Sequence, residues 1–415
     1  MRIIASAYGS AGDFVPTLGI AAVLARRGHR VHFVGNPFHE GRVRSAGVDF
    51  VAAGQPVDLY AAIAADPRYI ETTSFWRLFD EIGAPVGVEI YRRTRDLVRA
   101  EGADLVLSAD VNFGAHWAAD ELGIATAVVY ATPVAWAQRR APLVVGDLPL
   151  PRWIAGPATA VGKTVVQWNL ARIMRRLARA SGAGGSGRSY LQLLRDAALH
   201  LGMWSPALRG PLPGDPAAAQ LCGFVRGSAL GDEQPAVPEA VEQFLAAGPP
   251  PVVIGLGSVF ALATGELLEC LTLACVELGQ RCLVIGHPPG ARFPSGVRAV
   301  PYAPYDQVFP RASVVVVHGG AGTTGEALRS GRPVLGVPFA FDQFTLCEWM
   351  QRLGIGRRVA LRGRDVATLV SSLRRLLSDR AIAGRAIEVG ARLGAERDGA
   401  EVAADAIERV GHLGR

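Results

Sequence analysis

Lysine is all but absent from this chain. Lys163 is the only one among 43 basic residues, so nearly all positive charge sits on arginine, as GC-rich codon usage would give. The formal charge is +6, but the arginines are interleaved with acids, as at Arg92, Arg93, Arg95 and Asp96. No aromatic-interleaved basic stretch or zinc spacing marks a nucleic-acid partner, and the charge supports only a modest attraction for anions such as nucleotides. Cysteine is scarce as well. Cys222, Cys270, Cys275, Cys282 and Cys347 form an odd set without a C-x-x-C pair, for which a reduced cytoplasm is the simplest setting. No apolar run reaches the roughly 18 residues that span a bilayer. The chain opens directly on a strand-like run, Arg2–Ala7, with no leader pattern. A soluble, cytoplasmic protein without stable membrane insertion is expected, which leaves a lipid-like substrate open.

Aromatics are few, at 7%, whereas half of the 415 residues are hydrophobic and Gly and Ala are plentiful. That balance favours α/β layers, and the length is too great for one core. Strand and helix signals alternate from the start. Arg2–Ala7 reads as a strand and Pro16–Arg27 as a helix with proline in its first turn and Gly28 beyond its end. Val31–Gly35, Asp49–Val51, Asp104–Ser108 and Ala125–Tyr130 read as further strands, with helices near Phe38–Ala46 and Phe113–Leu122. Residues 132–160, with Trp136, Trp153 and several prolines, read as loops over a cleft. The tract 181–188 reads as a mobile low-complexity link between helical stretches.

Alternation restarts after a Gly/Asp/Gln/Pro cluster at Arg226–Pro238, which follows a strand at Gln220–Val225. Strands are expected at Val252–Leu256, Arg281–Ile285, Val297–Val300, Val314–His318 and Val334–Val337. Helices are expected at Leu262–Leu278, Thr323–Ser330 and Gln343–Leu353. The fold class is therefore α/β, with two doubly wound, Rossmann-like parallel sheets, and ligands lie beyond the carboxyl ends of such strands.

One segment concentrates the chemistry: His318-Gly-Gly-Ala-Gly-Thr-Thr-Gly-Glu326, then Gly331-Arg-Pro, then Pro338-Phe-Ala-Phe-Asp342-Gln343. The glycines allow close backbone approach, and the helix that follows aims free N–H groups and its positive end at an anion such as a diphosphate. His318 adds a donor, Glu326 can accept from ribose hydroxyls, and Asp342 and Gln343 suit sugar hydroxyls. Gly320-Ala-Gly322-Thr-Thr-Gly325 also matches a dinucleotide fingerprint with Asp342 as its acid. Against that stand its late position in the chain, the histidine at the strand tip and the placement of the acid after Pro338. A glycine turn of purely structural purpose is the remaining reading.

These residues resemble the signature of GT-B nucleotide-sugar glycosyltransferases, closest to the bacterial enzymes that decorate natural products, sterols and lipids, including rhamnolipid rhamnosyltransferases. The resemblance spans essentially the whole chain. Gly9-Ser-Ala-Gly12-Asp13-Phe-Val-Pro16 is similar to the family's first loop, and Asp66-Pro-Arg68 with Thr-Ser-Phe-Trp76 to the rhamnolipid branch. Gly255-Leu-Gly257-Ser258 resembles its first C-domain loop. Tyr302-Ala-Pro304 stands where the family carries Trp-x-Pro against the base, a departure that leaves thymine and uracil both open. The resemblance implies that His318, Gly320, Gly322 and Thr323 hold the diphosphate, Ser258 a phosphate and Glu326 the ribose. It implies that Asp342 and Gln343 contact the sugar. It also implies an acceptor-binding domain at 1–225, a linker at 226–238, a donor-binding domain at 239–395, and a terminal helix at 396–415 packing back on the first domain.

The expected reaction is inverting transfer of a deoxysugar or glucose from a TDP- or UDP-sugar co-substrate to a hydroxyl of an apolar natural product or lipid. No metal motif or other cofactor is expected. Asp13 is the candidate general base, a kind of group worth about 10²–10⁴ in rate; capping of the helix near Pro16 is its structural alternative. Asp110 can assist Asp13, bind acceptor or settle a turn. His29 reads as structural, and His116 and Trp117 as acceptor border or helix face. Phe75, Trp76, Phe79 and Trp136 are the candidate acceptor wall, although Phe75 and Phe79 also have the spacing of a helix core. A catalytically silent nucleotide-sugar binder is the alternative from another class. Oligomeric state is open, a homodimer included.

Overall fold

The structure is a computed structural model that describes residues 1–70, 75–144, 152–183, 188–227, 236–257, 265–287 and 290–413. Two wholly parallel sheets organise it. The first takes β1 (Arg2–Ser6), β2 (Arg30–Gly35), β3 (Asp49–Ala52), β4 (Leu105–Ala109), β5 (Thr126–Tyr130), β6 (Leu199–Gly202) and β7 (Ala219–Leu221) in the order β3-β2-β1-β4-β5-β6-β7. The second takes β8 (Val252–Gly255), β9 (Cys282–Ile285), β10 (Val297–Val300), β11 (Val314–Val317), β12 (Val334–Gly336) and β13 (Gly356–Arg358) in the order β10-β9-β8-β11-β12-β13. Strand order reverses between β1 and β4 in one sheet and between β8 and β11 in the other. Those are the switch points where open α/β sheets leave a crevice.

Composition explains the central strands. β11 is four valines, all fully buried, and β-branched side chains suit a strand covered on both faces. It pairs with β8 through Val314–Val252 to Val317–Gly255, so Gly255 and Val317 end side by side. In the first sheet, Ser6 and Ser108 end side by side in the β1–β4 pair.

The first helix differs from the sequence expectation. It runs Ala11–Arg26, so Pro16 lies inside it and not at its start. The helix starts early because Asp13 accepts from the Ser10 amide (3.1 Å) and the Ser10 hydroxyl (2.9 Å), closing a box at its N-terminus. The helix Arg152–Ser181 places Trp153 on a helix where loops were expected. Strands β6 and β13 are additions to the expected list, and β7 is shorter than the run at Gln220–Val225.

The last helix, Gly399–Leu413, packs on Ala11–Arg26. Ala400, Ala403, Ala404 and Ile407 share one core with Phe14 and Leu18. Arg27 pairs with Glu401, Asp405 and Glu408, and His29 with Glu408 at 2.9 Å. His29 is thus structural, tying the start of the chain to its end.

Candidate active site

Both crevices open into one cleft of about 1850 Å³ lined from both halves. Single-ligand pockets span roughly 300–1,000 Å³, so there is room for two molecules at once.

On the C-terminal side the strand tip delivers His318, buried at 6% exposure. Burial pushes its pKa down to about 4, so the ring is neutral and offers a single N–H donor. Its position dictates the glycine at 257, where a β-carbon would stand 2.6 Å from the ring's Cε1. Gly320, extended at φ −66° and ψ 151°, precedes the helix Ala321–Arg329. The first helical bond runs from the Thr324 amide to the Gly320 carbonyl at 2.8 Å. The amides of Ala321, Gly322 and Thr323 come before it and have no partner within the helix. His318, Gly320, Gly322, Thr323 and Glu326 all border the cleft. Glu326 is paired with Arg329, and burial still raises its pKa. Tyr302 is 54% exposed at the rim, a free face for a planar base, while Tyr305 stacks on Phe309 with ring centres 4.4 Å apart.

Asp342 and Gln343 divide their tasks differently from the expectation. The Gln343 carbonyl oxygen accepts from the amides of Phe339 (2.8 Å) and Ala340 (3.2 Å), so this residue holds the loop and keeps only its NH₂ for a ligand. Asp342 accepts from the Thr132 hydroxyl of the other half, and burial pushes its pKa up to about 6, with the charge of Asp13 adding to the shift. The residue before it, Phe341, has φ +53°, the only positive φ at a non-glycine among the described residues. Such a conformation in a bulky side chain marks a site that the surrounding structure holds in place.

On the N-terminal side, Asp13 and Asp110 follow β1 and β4 and line the same cleft. Burial raises the pKa of Asp13 against the lowering bonds from Ser10. Asp110 is pushed up to about 7, chiefly by burial and then by the charge of Asp13. The charge of Asp13 thus acts on Asp110 within the cleft. The Tyr190 hydroxyl donates to the Asp110 carbonyl.

Two side chains of the expected acceptor wall, Phe79 and Trp136, are described, and both border the cleft. Phe79 borders the cleft and packs on Phe113 at 5.8 Å. Trp136 also reaches the cleft, but it is 5% exposed and wedged between Tyr130 (5.4 Å) and Trp204 (4.7 Å); its main duty is core packing. The side chains of Phe75 and Trp76, and all of Ser258, lie outside the described residues. The His116 Nε2–H donates to the Ala109 carbonyl (3.1 Å) and Trp117 packs in an aromatic cluster, which makes both of them interior. Thr132 was not anticipated. Its signal was position, directly after a strand end and before Pro133.

The dinucleotide reading fails on this geometry. The glycine motif follows β11, not the first strand of its sheet, and Asp342 stands beyond the end of β12, bonded across the cleft to Thr132.

Residues 285–409 match the family model described as the erythromycin biosynthesis protein CIII-like C-terminal domain. The O-mycaminosyltylonolide 6-deoxyallosyltransferase of Streptomyces fradiae is 30% identical over 422 residues, covering 96% of this chain and 94% of that one. The chain belongs to the GT-B nucleotide-sugar glycosyltransferases. Solved glycosyltransferases share the fold over nearly their full length. That of kitacinnamycin superposes with a TM-score of 0.72 at 21% identity, covering 99% of this chain and 98% of the other. The calicheamicin glycosyltransferase CalG4 also superposes at 0.72, with 19% identity, covering 100% and 98%. In this glycosyltransferase the two switch-point crevices are the two sides of one cleft, the candidate active site.

Proposed function

We propose that the enzyme transfers a sugar, with inversion, from a thymidine- or uridine-diphosphate donor to a hydroxyl of an apolar small molecule. The carrying observation is the opposition of two half-sites in one cleft. Neutral His318 and a free helix N-terminus lie on one side, and the Asp13–Asp110 carboxylates on the other. A fold neighbour of 18% identity, spinosyn rhamnosyltransferase SpnG, is known with thymidine diphosphate and with the spinosyn aglycone, which supports a donor and an acceptor sharing such a cleft.

In this reading the diphosphate lies against the amides of Ala321, Gly322 and Thr323, with His318 donating its N–H. Tyr302 stacks on the pyrimidine, and Glu326 meets the ribose through the oxygen that Arg329 leaves open. Asp342 accepts from a sugar hydroxyl while the Gln343 amide donates. Asp13 withdraws the acceptor proton. One of its oxygens is occupied by Ser10, which fixes the carboxylate and leaves the other for the proton. The acceptor oxygen then bonds to the anomeric carbon as the carbon–oxygen bond to the nucleoside diphosphate breaks. The leaving charge is taken up by the helix amides and His318, and no metal step is assigned. Asp110, whose pKa burial and then the charge of Asp13 push up to about 7, stands in the same cleft as Asp13 and assists it.

The test is a panel of TDP- and UDP-linked glucose and rhamnose, with transfer followed on hydroxylated apolar acceptors and anomeric configuration read by NMR. Inverted product from a nucleotide sugar is expected; retained configuration would overturn the single-displacement mechanism.

A further inference from the structure

The helix Arg152–Ser181 has a face that the transfer reaction does not use. It runs for 30 residues, about 45 Å, and contains no acidic residue. Trp153 is 77% exposed, Val161 65%, Val165 54% and Trp168 62%. Arg172, Arg175, Arg176 and Arg179 are exposed farther along, and none makes an ion pair with any described residue. At 100° per residue these eight positions fall within an arc of about 140°. One side of the helix thus presents tryptophan and valine followed by a row of unpaired arginines. The opposite side is buried: Met174, with Leu170 and Leu177, packs on Tyr91, Phe113 and Trp117.

We propose that this outer face docks the enzyme on an anionic lipid bilayer. Tryptophan settles at the boundary between headgroups and chains. Unpaired arginines are drawn to anionic headgroups, and the two together define a helix that lies in the interface plane. No described helix is long and apolar enough to cross a membrane, so the attachment is peripheral. A second copy is the poorer occupant, because facing copies would oppose two rows of like charge. The helix also has a place in the cleft: Leu170 and Met174 on its inner side line it. Docking sets the cleft one helix thickness from the lipid, a short path for an apolar acceptor dissolved there. The docking stands whether or not the proposed acceptor class is correct.

The experiment is co-sedimentation of the full chain with vesicles of phosphatidylcholine alone and of phosphatidylcholine mixed with phosphatidylglycerol. Binding to the anionic vesicles that weakens with added salt is expected. R172Q/R175Q/R176Q/R179Q should bind at least about tenfold more weakly, and W153S/W168S should also lose binding. The thermal shift given by TDP should persist in both variants, which shows that they fold and separates this test from the donor reading. Absence of binding to anionic vesicles at low ionic strength overturns the proposal. So does equal binding by the arginine variant, or a dimer in the parent chain that either variant converts to monomer without vesicle binding.

Discussion

A β-carbon on Gly257 would stand 2.6 Å from Cε1 of His318. The ring fills the space that the glycine leaves, and Gly257 also has φ +75°, so an alanine there is strained in backbone and in packing. Gly257→Ala should displace the imidazole and weaken TDP binding about tenfold or more. Isothermal titration of TDP checks this; unchanged affinity would detach His318 from the phosphate site.

Asp13→Asn removes the proton acceptor but retains an oxygen to accept from Ser10. Turnover should fall about 10²–10⁴-fold, with donor affinity little changed. Steady-state kinetics alongside TDP titration separate the two effects, and an unaltered kcat would remove Asp13 from the mechanism.

Asp110 carries a testable pH signature. Its folded pKa, about 7, lies above the ordinary carboxylate value, so the folded state holds a proton that the unfolded state has released. Stability should therefore decline as pH rises from about 4 to about 7, and the penalty is fully present above that window. Asp110→Asn is neutral at every pH and should flatten the slope. It should stabilise the protein by about 1–2 kcal/mol at pH 8 once solvent screening is allowed for, and by far less at about pH 4. Denaturant unfolding across that range gives the answer.

The hydroxyl of Thr132 lowers the pKa of Asp342 against the effect of burial. Thr132→Val should move the Asp342 pKa upward from about 6, and with it the acidic limb of the pH–rate profile. A limb that stays in place would mean that Asp342 does not govern it.

Buried thiols give a chemical check on the fold. All five cysteines are free; burial pushes Cys222 up to about 12 and raises Cys347 as well, while the bond with the Cys275 thiol, and then burial, raises Cys282. A thiol-exchange reagent should react with the half-buried Cys270 first and reach the others only after denaturation.

Much of the strand and glycine frame on the C-terminal side of the cleft was legible because its signals are local. Four β-branched valines in a row favour a covered strand, and the glycines after it announce close contact before any ligand is known. The pairing of Gly257 with His318 was not legible, since the two lie on different strands and meet only through sheet order. Asp342 and Thr132 meet across the cleft from different halves, which no periodicity encodes. Trp136 does border the cleft, but its packing on Trp204, remote in sequence, was not legible. Asp13 reads from sequence as a base or as a cap of a helix near Pro16, and its partner Ser10 is not foreseen. Their reciprocal bonds also start the helix, which is why it begins before Pro16.

The terminal helix Gly399–Leu413 has a mechanical consequence. The polypeptide leaves the first sheet after β7 and returns to it before Gly399, so two segments of backbone connect the halves. Arg226 on the outgoing segment bonds the carbonyls of Leu393, Gly394 and Glu396 on the returning one, and its amide meets Asp398. The two crossings are thus stitched side by side by one arginine. Removing the helix Gly399–Leu413 would strip Ala400, Ala403, Ala404 and Ile407 from the core they share with Phe14 and Leu18, so its loss would reach the first half before the second.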